Sequence, residues 1–177
     1  AQEKHEFVNG ALIPMAGGTY FHSLIASNIL FTLRFILGKT NDKFNVLGSD
    51  IKLWIEKFQT SRYPDVVIIA DEVKFLKKRT DVITNPYLIV EVLSESTKVI
   101  DLGVKFEEYH SLESLQTYII VHQDQPLLSV YQREDVDLWR IKSYQGLDAI
   151  AEIPSMEIAL PLADVYDQIG FNENSVD

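Results

Sequence analysis

Cysteine is absent from the 177 residues. Disulfide staples, thiolate zinc sites and cysteine nucleophiles are therefore excluded, and nothing in the composition argues for an oxidising compartment. Positive charge is scarce: 16 Lys and Arg stand against 26 Asp and Glu, a formal net charge of −10. That balance disfavours tight, non-specific binding to a polyanion. Long apolar runs are also few. The longest candidate, Ser23 to Leu37, is interrupted by Ser27, Asn28 and Arg34, so no membrane-spanning segment and no membrane partner is expected. The opening Ala1-Gln2-Glu3-Lys4-His5 does not read as a signal peptide, and a cytoplasmic location is the expectation.

What is present is a globular composition. Apolar residues make up 46% of the chain, enough for a real core, and the length suits one domain over residues 1–177. No repeat, low-complexity tract or linker interrupts it. The charge is unevenly spread. Residues 1–110 carry 13 Lys and Arg against 14 Asp and Glu, a net of −1; residues 111–177 carry 3 against 12, a net of −9. The acidic burden thus lies in the last third. The basic group Lys74, Lys77, Lys78 and Arg79 is a candidate nucleic-acid contact, although such a cluster is as often a solvated loop.

Asn9-Gly10 between apolar stretches predicts a hairpin over Glu6 to Pro14, because both turn residues tolerate positive φ. Ile25, Ile29, Leu33 and Ile36 recur at helical spacing within Phe21 to Leu37, with Gly38 at the stop. Extended stretches are expected at Phe44–Leu47 and Ile51–Phe58. Pro64 to Ala70, with four consecutive β-branched residues, and Pro86 to Leu93 read as strands buried on both faces, each opening on proline. A second helix is expected from about Thr97 to His110, with Ser94 or Ser96 as N-cap and Leu102, Phe106 and Tyr109 as its apolar face. Thr117 to Val121 is another core strand. Leu127–Gln132 and Val136–Tyr144 form a half-exposed hairpin, and Leu160–Tyr166 a short terminal helix. Helices interspersed with buried strands predict an α/β (α+β) fold, a mixed β-sheet flanked by helices.

Two carboxylates stand out. Asp65 sits at the mouth of one apolar strand and Glu91 near the end of another. Burying either unpaired costs on the order of several kcal/mol, so something must neutralise them. If the strands are neighbours, about 4.8 Å apart, both side chains reach one point, and a hard cation such as Mg²⁺ or Mn²⁺ suits two carboxylates plus water. Carboxylates on opposite sheet faces would rule that out. Spacing leaves a second reading open: a strand-end Asp capping a turn and a Glu paired with Lys or Arg. Lys105, on the helix after Glu91, is placed to orient an attacking water or offset charge on a phosphate. It also stands at i+4 from Asp101, an ordinary helix ion pair worth about 0.3–0.5 kcal/mol.

Tyr63-Pro64-Asp65-Val66-Val67, Glu91-Val92-Leu93-Ser94-Glu95-Ser96-Thr97, Asp101-Leu102-Gly103-Val104-Lys105-Phe106 and Tyr118-Ile119-Ile120-Val121 together resemble the PD-(D/E)XK nuclease superfamily. More narrowly they resemble a bacterial restriction-endonuclease-like family long labelled a domain of unknown function. The Asn9-Gly10 hairpin and His22 at the first helix match as well, and the resemblance runs from about Glu6 to Leu162. It implies a restriction-endonuclease-like sheet with an N-terminal hairpin and extra C-terminal strands. It implies Asp65, Glu91 and Lys105 as catalytic residues, with Asp65, Glu91 and the Val92 carbonyl as metal ligands.

The superfamily pattern wants lysine two residues after Glu91, where this chain has Leu93; in the narrower family a lysine from the next helix, here Lys105, takes that role. Many such nucleases draw an acid from the first helix. Phe21 to Leu37 contains none, so Glu6 is the nearest candidate. His22 is a candidate contact to phosphate or the site carboxylates, and Asp101 a candidate to hold Lys105. His5, His110 and His122 share no ligand spacing. Trp54, Tyr63 and Tyr87 can stack on bases, but packing the sheet is the simpler expectation.

The expected function is Mg²⁺-dependent (or Mn²⁺-dependent) endonucleolytic hydrolysis of DNA, by a homodimer if both strands of a duplex are cut. The alternative is a catalytically inactive form of the fold that binds nucleic acid or a partner protein.

Overall fold

The computed structural model describes residues 4–8, 10–14, 17–38, 43–93 and 103–171. At the N-terminus β1 (His5–Val8) and β2 (Ala11–Pro14) pair antiparallel, with Val8 opposite Ala11. Gly10, just before β2, takes φ +83°, a conformation in which a Cβ is strained.

The helix α1 (Tyr20–Gly38) follows, then β3 (Phe44–Gly48), β4 (Lys52–Ile55), β5 (Thr60–Arg62) and β6 (Val66–Ala70). After a long loop come β7 (Val82–Ile83), β8 (Leu88–Leu93), α2 (Lys105–His110) and β9 (Thr117–His122). The chain finishes with β10 (Leu127–Asp135), β11 (Leu138–Gln145), β12 (Ile150–Ile153), β13 (Ile158–Pro161) and α3 (Leu162–Val165).

Among the described residues the strands form three sheets, in a mixed α+β arrangement as expected. A six-stranded sheet runs β11-β10-β9-β8-β6-β3, a five-stranded sheet runs β2-β1-β5-β4-β7, and β12 pairs β13. In the six-stranded sheet β8 and β9 are parallel and the other pairs antiparallel. Alternation along its central strands divides the core in two. Val66, Ile68, Leu88, Val90, Val92, Ile119 and Val121 face α1, through Ile25, Ile29, Leu33 and Leu37, and the β12–β13 arm with α3. Val67, Ile69, Ile89, Leu93, Tyr118 and Ile120 face Leu53 and Ile55 of β4, Ile83 of β7 and Tyr109 of α2. One face is therefore helix-covered as expected, whereas the other is covered largely by a second sheet. Val66 to Ile69 are fully buried because both faces are covered.

α1 corrects one expectation. It spans 19 residues and holds an 18-residue window of mean hydropathy 1.4, long and apolar enough to cross a membrane by length and composition alone. Of the polar residues that interrupt it, Ser27 donates to the Ser23 carbonyl of the same helix, while Asn28 and Arg34 bind neighbouring elements. Asn28 donates to the Val165 and Asp167 carbonyls at 3.2 and 2.9 Å, and Arg34 to the Val46 carbonyl at 3.2 Å. Its apolar stripe lies in the core and Phe31 and Phe35 stack on its exposed side. The N-terminal part of the expected second helix, including Ser94, Ser96 and Asp101, lies outside the described residues.

Candidate active site

Asp65 directly precedes β6, and Glu91 lies inside β8. Val66 stands opposite Val90 and Val67 opposite Ile89, so continuing the ladder by one residue opposes Asp65 to Glu91. Residues opposed in an antiparallel pair project to the same face, with Cβ atoms about 4.5–5.5 Å apart. By alternation that is the face of Val67, Ile89 and Leu93, the side covered by α2 and the second sheet. The opposite-face arrangement that would rule out a shared cation is thus not the one observed.

Each carboxylate has its own donors. Asp65 accepts the Val92 backbone N–H at Oδ2, 2.8 Å, and contacts His22 Nε2 through Oδ1 at 2.9 Å. His22 is fixed at the start of α1 because Thr19, just before the helix, accepts its backbone N–H at 3.1 Å, an N-cap interaction. Gly18 lies against the imidazole: a Cβ there would come within 2.9 Å of His22 Cδ2. The neighbouring backbone therefore leaves no room for a larger residue while the ring holds Asp65.

Glu91 is 3% exposed. Its Oε1 receives the Tyr109 hydroxyl at 2.7 Å and lies 3.1 Å from Lys105 Nζ. Lys105 and Tyr109 are four residues apart on α2, so one helix face presents both. The ammonium and the hydroxyl together answer the desolvation of a carboxylate set among Val, Ile and Leu. Burial first, and then the Glu91 charge, push the Tyr109 phenol well above its ordinary value. It therefore stays protonated and donating.

A third ionic group braces this arrangement. Arg62 ends β5, three residues before Asp65. Its Nε and Nη2 donate to the two Glu108 oxygens at 2.7 and 2.8 Å, and its Nη1 donates to Glu6 Oε2 at 2.7 Å. Glu6 Oε1 also accepts the Tyr63 backbone N–H at 3.4 Å. The Arg62 and Glu108 side chains are each 5% exposed. One guanidinium thereby joins the N-terminal hairpin, the strand leading to Asp65 and the helix carrying Lys105 and Tyr109. Its bidentate fork suits carboxylates in a way an ammonium does not.

Asp65, Glu91, Lys105, His22 and Val92 thus meet at one end of β6 and β8, and Glu6 approaches through Arg62 and Tyr63. Of the two readings of the carboxylates, the second is met at Glu91, which is paired with a lysine, whereas Asp65 accepts a backbone N–H from the neighbouring strand rather than capping a turn. Arg62, Glu108 and Tyr109 were not singled out from sequence. Tyr109 stands at i+4 from Lys105, a spacing that places the two on one helix face. Lys74, Lys77, Lys78 and Arg79 lie exposed in the loop between β6 and β7, where Arg79 is engaged by Asp81 at 2.5 Å. Tyr87 packs on Phe44, Trp54 on Phe7.

Among the described residues no group of three His, Asp or Glu side chains is disposed to hold a metal ion. Two carboxylates on adjacent strands beside the Val92 backbone could hold a cation only with water or substrate oxygens completing its shell. That suits Mg²⁺, which commonly takes one or two carboxylates and keeps several waters or substrate oxygens.

Residues 1–163 match the model of the Uma2 family, described as "Putative restriction endonuclease". Uncharacterized protein sll1609 of Synechocystis sp. is 34% identical over 158 residues, covering 89% of this chain and 88% of that protein. Uncharacterized protein slr1290 of the same organism is 32% identical over 170 residues, covering 96% and 87%. The crystal structure of a protein from Anabaena variabilis, titled a putative nuclease belonging to DUF820, superposes with a TM-score of 0.70 at 17% identity. The match covers 94% of this chain and 93% of that one, and at that identity it speaks for the fold. With a family model spanning residues 1–163, the chain belongs to the Uma2 family of putative restriction endonucleases.

Proposed function

We propose that the protein is a metal-dependent endonuclease that hydrolyses phosphodiester bonds in DNA. The observation that carries this reading is Lys105 Nζ 3.1 Å from Glu91. The helix supplies the ammonium that the strand position Leu93 does not.

Asp65 and Glu91, with the Val92 carbonyl, would hold Mg²⁺ or Mn²⁺, which when bound polarises a phosphate oxygen and lowers the pKa of a coordinated water. Lys105 offsets negative charge that develops on the phosphate as water attacks, or orients that water. Tyr109 and Lys105 together hold Glu91 Oε1 in one orientation. His22 and the Val92 N–H do the same for Asp65. No covalent enzyme intermediate is required. A two-fold homodimer in the cytoplasm completes the reading, because two such sites related by a dyad match antiparallel strands.

One observation favours a second reading. Leu93 is 3% exposed and packed in the core, so the usual lysine position is occupied by an apolar anchor. That suits a non-catalytic module that binds nucleic acid or a partner protein. Plasmid cleavage with Mg²⁺ or Mn²⁺ separates the two. Wild type should nick or linearise the plasmid, whereas Asp65→Ala, Glu91→Ala and Lys105→Ala should lose at least about a hundredfold, the scale of a lost electrostatic contribution to the transition state. Cleavage retained equally in all three variants, or absent from wild type, would sink the hydrolase reading.

A further inference from the structure

Cations from separate stretches of sequence converge on one aromatic ring beside the site. Lys52, the first residue of β4, places Nζ 5.1 Å from the centre of the Tyr63 ring, and Lys4 places its Nζ 5.6 Å from it. The strand registers explain the meeting. Leu53 stands opposite Arg62 and Phe7 opposite Ser61, so one further step along β4 brings Lys52 beside Tyr63, and three steps back along β1 bring Lys4 beside Pro64. Arg79 joins the group through the parallel pairing of Lys52 with Val82. Its guanidinium grips Asp81, whose carbonyl accepts the Lys52 backbone N–H at 3.4 Å.

The counter-ions of this group lie in solvent. Lys4 pairs with Asp50 at 2.5 Å, with side chains 42% and 95% exposed. Arg79 pairs with Asp81, at 50% and 62%. Exposed pairs of this kind are worth about 0–1 kcal/mol, so a phosphate can replace either carboxylate at little cost. Tyr63 is two residues from Asp65, a distance of roughly 7 Å along extended chain.

We propose that Lys4, Lys52 and Tyr63, with Arg79 behind them, form a subsite for the phosphodiester backbone of the DNA strand that enters the Asp65–Glu91 site. The proposal rests on the hydrolase reading and assigns it a substrate-binding surface. It also addresses the net charge of −10: a polyanion approaching two carboxylates needs a local positive field beside them. The subsite differs from the basic loop legible in the sequence, since of Lys74, Lys77, Lys78 and Arg79 only Arg79 takes part. It contacts backbone and carries no base readout.

Fluorescence anisotropy of a labelled duplex and of its single strand, with Ca²⁺ in place of Mg²⁺, tests this across about 50–200 mM salt. Lys4→Ala and Lys52→Ala should each reduce the slope of log affinity against log salt by about 0.9 on duplex, or by about 0.7 on single strand. The weakening should be the same on two unrelated sequences. Lys52→Arg should keep the wild-type slope. Lys57→Ala, which removes a cation beyond the far end of β4, should leave it unchanged. Slopes at the wild-type value in both Lys4→Ala and Lys52→Ala, in a protein that cuts plasmid, overturn the subsite and leave the hydrolase reading standing. An equal drop in Lys57→Ala overturns it as well. A wild-type protein that neither binds nor cuts DNA overturns both.

Discussion

On the α1 side of the central sheet, Val66, Ile68, Val90, Val92, Ile119 and Val121 meet Ile25, Ile29, Leu33 and Leu37 in an apolar layer. On the α2 side the same strands meet Leu53, Ile55 and Tyr109, but that layer also borders Glu91, Lys105, Arg62 and Glu108, all buried. The first face needs only shape and hydrophobicity. The second needs each charge to find a partner, because an unpaired buried carboxylate or guanidinium costs several kcal/mol, on the scale of the net stability of a domain. Buried ionic groups are weak stabilisers compared with apolar residues of the same volume. Their concentration on one face, at the strand ends that bear Asp65 and Glu91, is best understood as holding a site in place.

The sharpest way to break this comparison is to cut each face once. Arg62→Ala leaves Glu6 and Glu108 without their guanidinium and should destabilise by about 3–5 kcal/mol. Arg62→Lys, which keeps the charge but not the fork, should cost less. Leu33→Ala on the other face should cost a similar amount, about 2–5 kcal/mol, through lost burial and a cavity. Urea unfolding measures both. The two variants should part company in Mn²⁺ titrations of the folded protein, where Arg62→Ala weakens binding and Leu33→Ala does not. Arg62→Ala within about 1 kcal/mol of wild type, or equal Mn²⁺ affinity in the two variants, would remove the distinction between the faces.

The same division governs what could be read from sequence. The apolar face was legible: β-branched runs such as Val66 to Ile69 need only burial to become strands, and the Ile25–Leu33 stripe carries a local signal. Asp65, Glu91 and Lys105 were legible as charges out of place. The partners on the ionic face were not. Thr60-Ser61-Arg62 is polar and short, and it becomes the buried strand β5 only because β1 and β4 flank it. Helical periodicity put Tyr109 on an apolar face but could not say that its hydroxyl meets Glu91. The meeting of Lys4 and Lys52 at Tyr63 depends on the register of three strands, which no local pattern records. The second sheet likewise depends on pairings between distant stretches that carry no local pattern.

Tyr109→Phe sharpens the comparison by removing one donor while keeping the packing. Hydrogen bonds to charged groups contribute about 1.5–3 kcal/mol, and a loss in that range is expected. The pH dependence carries a signature that packing alone would not. The phenol is held well above its ordinary value of 10.0, so above pH 10 the unfolded chain loses a proton that the folded chain keeps. The contribution is complete below pH 10 and is lost as pH rises from there through the folded pKa. Stability of wild type should therefore fall more steeply above pH 10 than that of Tyr109→Phe. Parallel curves in chemical denaturation from pH 8 to pH 11 would show that Tyr109 does not hold a proton against Glu91.

The smallest expected effect lies where the two faces touch. His22 comes from α1, on the apolar side, yet reaches Asp65. Gly18→Ala adds one carbon within 2.9 Å of His22 Cδ2 and 3.3 Å of Cγ. The backbone of His22 is anchored by Thr19, so the ring has to turn away and the contact to Asp65 lengthens. Loss of a residue that orients a metal ligand costs about 10–100-fold in metal affinity; a displaced ring should fall at or below the lower end, about tenfold. Mn²⁺ titration together with the imidazole nitrogen resonances of His22 measures the effect. If both are unchanged, His22 is only a helix-start residue that happens to lie near Asp65. If affinity falls while urea stability holds, the apolar face contributes one positioning residue to the ionic one, and the boundary between structure and chemistry runs through the first turn of α1.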